Sequence, residues 1–69
     1  MVNVDLLKAE IDDIGIPKST LADRCGMSRQ TLDNKLDNPA TITANDALAF
    51  VKALRIADTS RVMEIFFAE

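Results

Sequence analysis

Apolar residues recur along this chain at intervals of three and four and never settle into the two-residue alternation of a half-buried strand. In the first segment Val4, Leu7, Ile11 and Ile14 keep helical spacing, while Asp5, Lys8, Asp12 and Asp13 fall largely off that stripe. Asn3 is placed to cap its start, and Asp5 suits the positive end of the helix dipole. Gly15, with Pro17 close behind, marks its stop. A second, shorter helix is predicted from Pro17 or Lys18 to Cys25, with Leu21 and Cys25 on one side and Asp23 and Arg24 outward. Pro17 suits a first helical turn, where its missing N–H would lack a partner in any case. Gly26 breaks this helix, and Ser28 caps a third that runs from Arg29 to about Leu36 and buries Leu32 and Leu36.

The stretch from Asp37 to Thr41 reads as a loop, because Pro39 drives Asn38 out of the helical region. Thr43 and Asp46 have the spacing of a capping box, with Asp in the usual place of Glu. They open a fourth helix to Leu54, whose wide apolar face is Ala47, Leu48, Phe50, Val51 and Leu54. Asp58 or Thr59 caps a fifth segment, Ser60 to about Phe67, carrying Val62, Ile65 and Phe66. No repeat, low-complexity tract or linker interrupts the pattern. It predicts an all-α fold of five short helices, a single domain over residues 1–69.

Size and composition narrow the chemistry. A chain of 69 residues buries only about 60% of the surface its unfolded form exposes, which leaves a mini-core and no deep substrate cleft. Without any His, neither a Ser-His-Asp triad nor a Cys-His pair can be built, and zinc loses its commonest nitrogen ligand. Asp12 and Asp13 are neighbours on a helix and diverge, as do Lys18 and Ser19, so neither pair forms a catalytic dyad. Enzymatic activity, metals and cofactors are therefore not expected. The lone Cys25 excludes a disulfide framework, fits a reducing cytoplasm and reads as a small buried hydrophobe. The longest apolar run, Ala47 to Val51, is too short to span a bilayer, and the acidic Met1–Glu10 stretch does not read as a signal peptide.

The informative element is the pair of short helices around Gly26-Met27-Ser28. A break this tight sets two helices at roughly 90–120°, the geometry of a helix-turn-helix. Ala22 is small where the second helix must come close, Gly26 tolerates a positive φ, and Met27 tucks under the corner. Ile16, Leu21, Cys25, Leu32 and Leu36 are spaced to form the seam.

Ile16 to Leu36 resembles the helix-turn-helix of phage repressor and Cro-type proteins, the XRE family: Leu21-Ala22, Gly26 and Ser28 stand where that motif places them. Ala47 to Leu54 is similar to the family's fourth helix, and Glu64-Ile65-Phe66-Phe67 to the ending common among its phage members. Lys18 occupies the place where the family usually has Gln; Pro17 and Asn38-Pro39 also depart from its pattern. The resemblance implies a lambda-repressor-like DNA-binding domain, with its helix-turn-helix over residues 17–37, a Cro-like repressor of a phage or prophage acting in the bacterial cytoplasm. It also implies that Arg29–Leu36 is a recognition helix, with its first residues at base edges in the major groove.

Residue chemistry agrees with that assignment. Arg29 matches guanine O6 and N7, Gln30 matches adenine N6 and N7, and Asn34 lies one turn from Gln30. Thr31 offers a methyl and a hydroxyl, and Asp33 accepts from cytosine or repels phosphate. Lys18, Ser28, Lys35, Asn38, Thr41 and Thr43 are the candidates for phosphate contacts. The opposing signal is charge, since the chain is net −3 and a DNA-binding domain is usually basic. Ile16–Leu36, however, carries Lys18, Arg24, Arg29 and Lys35 against Asp23 and Asp33, for +2. Both flanking segments are net acidic, so weak non-specific binding is expected. Met63, Phe66 and Phe67 are candidates for a homodimer interface. The alternative is a protein-interaction module on the same scaffold, an antirepressor or an antitoxin.

Overall fold

A computed structural model describes residues 2–67 of the chain, and helices are its only regular elements among them. They are α1 (Val4–Ile14), α2 (Lys18–Arg24), α3 (Arg29–Asp37), α4 (Ala44–Leu54) and α5 (Thr59–Phe66), with a single 3-10 turn at Pro39–Thr41 between α3 and α4. Four of the five begin where a short polar side chain takes up free amides. Asn3 accepts from the Leu6 N–H at 3.2 Å, Ser28 from Thr31 at 3.1 Å and Thr43 from Asp46 at 3.1 Å. Asp58 accepts from both Ser60 and Arg61. The Asp46 carboxylate returns a bond to the Thr43 N–H at 3.0 Å, so the capping box is complete. Pro17 stands just outside α2, with an extended backbone and no side-chain cap.

Two helix ends share one construction. At the end of α2 the Met27 N–H reaches the Ala22 carbonyl (3.0 Å) and the Gly26 N–H reaches Asp23 (3.1 Å). At the end of α4 the Ile56 N–H reaches Val51 (3.1 Å) and the Arg55 N–H reaches Lys52 (3.2 Å). Both are Schellman closures, which require a left-handed residue at the bend. Gly26 fills that place with φ +71°, whereas Arg55 fills the other with φ +54°. A side chain in that region is disfavoured by about 1–2 kcal/mol.

The core lies where the five apolar faces meet: Leu7 and Ile11 from α1, Leu21 and Ala22 from α2, Leu32 and Leu36 from α3. Ala47, Phe50, Ala53 and Leu54 come from α4, and Ile65 and Phe66 from α5. The Phe50 and Phe66 rings stack with centroids 6.3 Å apart. Helix α2 packs on both α3 and α4, and α1 packs on α5. The α1–α5 contact is tied by the Asn3 N–H to the Ile65 carbonyl and by the Arg61–Glu10 ion pair at 2.7 Å.

The structure corrects several positions. Ile14 and Leu48, read as core, are 44% and 59% exposed. Ile14 keeps the register of Leu7 but is the last residue of α1, and Leu48 lies about 100° round α4 from Ala47, turned away from Phe50 and Leu54. Cys25 is only partly buried; desolvation, followed by the Asp46 charge, pushes its thiol pKa up, so it is not a reactive thiolate. Helix α3 runs one residue further than predicted, to Asp37, and part of the predicted loop winds into the 3-10 turn.

The two closures generate a paired prediction. Gly26→Ala should destabilise by about 1 kcal/mol through backbone conformation alone, because an added Cβ would meet no atom within 4 Å. Arg55→Gly should instead stabilise, by about 0.5 kcal/mol after the extra chain entropy of glycine is counted. Urea midpoints followed by circular dichroism give both signs.

Candidate functional site

Helix α3 has a fastened side and an open side. Leu32 and Leu36 are buried, and Ser28 fixes its first turn, accepting from the Thr31 N–H and donating its own hydroxyl to Thr31 Oγ1 at 2.8 Å. Its last turn is held by Lys35. The Lys35 ammonium lies 2.7 Å from Asp46 Oδ2 and also donates to the Thr41 carbonyl at 3.2 Å. One cation thereby joins α3, the 3-10 turn and the start of α4. Both partners are largely covered, at 19% and 18% side-chain exposure. That places the pair outside the class of surface ion pairs that contribute little.

Lys35 therefore stands apart from the phosphate contacts read from the sequence: its charge is taken up inside the protein. Thr43 and Thr41 are brought to the same junction. The Thr43 hydroxyl caps α4, and the Thr41 hydroxyl donates to the Asn38 carbonyl at 2.7 Å. Both residues, like Asn38 and Ser28, still have exposed surface.

The open side of α3 carries Arg29, Gln30, Asn34 and Asp37, all exposed, with Asp33 half-buried at its edge. Gln30 and Asn34, one turn apart, make no side-chain hydrogen bond among the described residues. Arg29 pairs with Asp33 through Nε, at 3.3 Å to Oδ1 and 3.2 Å to Oδ2. The pair is exposed, so it holds Arg29 by only about 0.3–0.5 kcal/mol. The positive balance of Ile16–Leu36 is thus largely spent on internal contacts: Arg29 faces Asp33, Lys35 faces Asp46, and Arg24 donates to the Ala53 carbonyl at 3.3 Å.

Lys18 opens α2 and remains exposed. Across a small groove of about 80 Å³ between α1 and α2 it is joined by Lys8, with Ile11 and Asp12 completing the lining. Sequence reasoning passed over Lys8, since nothing in a spacing of ten residues across two helices signals the juxtaposition. Arg24, Glu10 and Arg61 were missed as structural partners for the same reason.

On α5 and at its end, Met63 and Phe67 are each 53% exposed, and Phe67 shares a groove with Thr43 and the 3-10 turn that follows α3. Phe66, counted with them as an interface candidate, is buried at 4% and stacks on Phe50, so it belongs to the core. It contributes only the floor of an open apolar groove of about 310 Å³, which Val2, Pro39, Ile42, Ala47 and Phe67 also line. Among the described residues no group of three His, Cys, Asp or Glu could hold a metal ion, and no helix is long and apolar enough to cross a membrane. Compared with protein-family models, curated proteins and solved structures, the chain has no match in any of the three.

The Lys35–Asp46 clamp has a pH signature. Partial burial on its own pushes the Asp46 carboxyl up, but the Lys35 ammonium and the Thr43 N–H and hydroxyl bonds outweigh it and hold the pKa below the usual range. A depressed folded pKa stabilises above the unfolded value of about 3.9 and loses that contribution as pH falls through the folded one. Stability should therefore drop on acidification below about pH 4, and Asp46→Asn should flatten that part of the profile. Lys35→Met should cost about 1–2 kcal/mol at neutral pH, read from urea unfolding at pH 7 and pH 3.

Proposed function

We propose that this chain is a sequence-specific double-stranded DNA-binding regulator of the phage repressor and Cro type, with no enzymatic activity, and that α3 enters the major groove. One observation carries the reading: α3 is locked from behind by Leu32, Leu36 and the Lys35 clamp, while Gln30 and Asn34 stand exposed on its outer face, with no side-chain hydrogen bond among the described residues. A rigid helix that presents free amide side chains at i and i+4 is what base-edge readout needs. Gln30 pairs with adenine, Asn34 reads a base one turn further along, and Arg29 reads guanine.

Phosphate contacts come from Lys18 and Lys8 beside the α1–α2 groove, with the exposed Asn38 amide as a neutral donor; the Ser28, Thr41 and Thr43 hydroxyls, which donate within the protein, join them only by turning outward on binding. With so few free cations, non-specific affinity is low and discrimination rests on base contacts and on pairing of two domains. Homodimerisation through Met63 and Phe67 would place two α3 helices on half-sites about 34–36 Å apart. Occupancy of such a site in a bacterial cytoplasm would exclude polymerase or a rival repressor from the promoter. The exposed Phe67 in the apolar groove, with the exposed Met63 on the same helix, favours a second reading, in which this surface binds another protein.

Fluorescence anisotropy against the intergenic DNA flanking the chain's own gene, with a scrambled duplex as control, tests the proposal. Gln30→Ala and Asn34→Ala should each lose about 1–3 kcal/mol of sequence discrimination and leave thermal unfolding unchanged. The slope of log affinity against log salt should be shallow, about −2 per domain, as two lysine contacts imply. Equal binding to native and scrambled duplexes at low salt would sink the operator reading. An effect confined to Met63 and Phe67 substitutions would favour the protein partner.

A further inference from the structure

The Arg29–Asp33 pair has a one-sided geometry. Both carboxylate oxygens of Asp33 lie on the Nε–H of Arg29, at 3.3 and 3.2 Å, and among the described residues neither Nη group makes a hydrogen bond. A guanidinium has two edges suited to bidentate recognition: the side edge that includes Nε, and the end edge formed by the two Nη groups. Asp33 occupies the first and leaves the second open. Resting on the DNA-binding reading above, we infer that Asp33 is a positioning residue: it presents the Nη edge of Arg29 to guanine O6 and N7 and keeps that arginine from swinging to phosphate.

Three features support this assignment. The partners are one turn apart on the exposed side of α3, a spacing at which side chains meet. Asp33 has the shorter side chain and is the better covered of the two, at 44% against 54% exposure, so the carboxylate is the more fixed member and the arginine the adjustable one. Both ends of α3 are fastened, by Ser28 at the start and Lys35 at the finish, so the direction set by Asp33 is referred to a fixed helix. In a groove that excludes water the Nε contact strengthens, and an arginine already neutralised on one edge gains little from a phosphate. Asp33 then converts a non-specific cation into a specific reader.

A randomised duplex library selected by the intact chain tests this. The selected sites should carry a guanine whose preference disappears in Arg29→Ala. Asp33→Asn removes the charge with almost no change in shape. It should relax the preference at that same base pair by about tenfold, within the range one bidentate contact supplies, while affinity for scrambled duplex rises. Asp37→Asn is the charge control, because it removes an equal charge from the same helix without touching Arg29. It should raise binding to all duplexes alike and leave the guanine preference intact.

An unchanged guanine preference in Asp33→Asn overturns the inference, and so does a changed preference at a different base pair, which would make Asp33 a reader in its own right. Matching effects of Asp33→Asn and Asp37→Asn would reduce the role to bulk charge and overturn it too. If the unaltered chain selects no sequence, the DNA-binding reading fails and takes this inference with it.

Discussion

The fold depends on how closely α3 and α4 can approach α2. A helix of seven residues is far below the length that is stable alone in water, so α2 exists only because its neighbours hold it. Leu21 is fully buried and Ala22 nearly so, and each element that packs on them is fixed in turn. The methyl of Ala22 leaves room for close packing; any larger side chain there would push the neighbours apart and open the core around Leu32 and Phe50. Gly26 serves the same constraint along the chain, since a left-handed residue lets the backbone leave α2 and enter α3 within four residues.

Around that hub the polar contacts have a division of labour. Caps formed by Asn3, Ser28, Thr43 and Asp58 set where helices begin. Among the described residues three ion pairs do different work: Glu10–Arg61 ties α1 to α5, Lys35–Asp46 ties α3 to α4, and Arg29–Asp33 lies within one helix. The first two connect elements, and in each at least one partner is well covered. Only the third is open to solvent on both sides, and it is the one that faces outward with Gln30 and Asn34.

This division also explains what the sequence made legible. The five helices, the break at Gly26-Met27-Ser28 and the Thr43–Asp46 box follow from residues two to five apart, where propensity and capping chemistry act directly. Lys35–Asp46, Arg24–Ala53 and Glu10–Arg61 join residues 11, 29 and 51 positions apart, and no local pattern announces them. Spacing alone therefore leaves Lys35 as a free cation, and the basic segment reads as more available than the Lys35–Asp46 pair makes it. Ile14 and Leu48 show the same limit for apolar residues: periodicity finds the stripe, but helix crossing decides which of its members are covered. Phe66 and Phe67 are adjacent in sequence, and only packing against Phe50 separates a core residue from a surface one.

A single oxygen, Asp46 Oδ2, accepts both the Thr43 N–H that starts α4 and the Lys35 ammonium that ends α3. Orientation of α3 is thus encoded in residues that lie off its outer face, and the outer face carries almost none of the stability. Substitutions at Gln30, Asn34 and Arg29 can accumulate without disturbing the scaffold, because these outward positions and the positions that set the fold do not overlap. In the role proposed for it the helix would be a replaceable label on a permanent mount, and descendants of this chain could diverge in what they recognise while keeping one architecture.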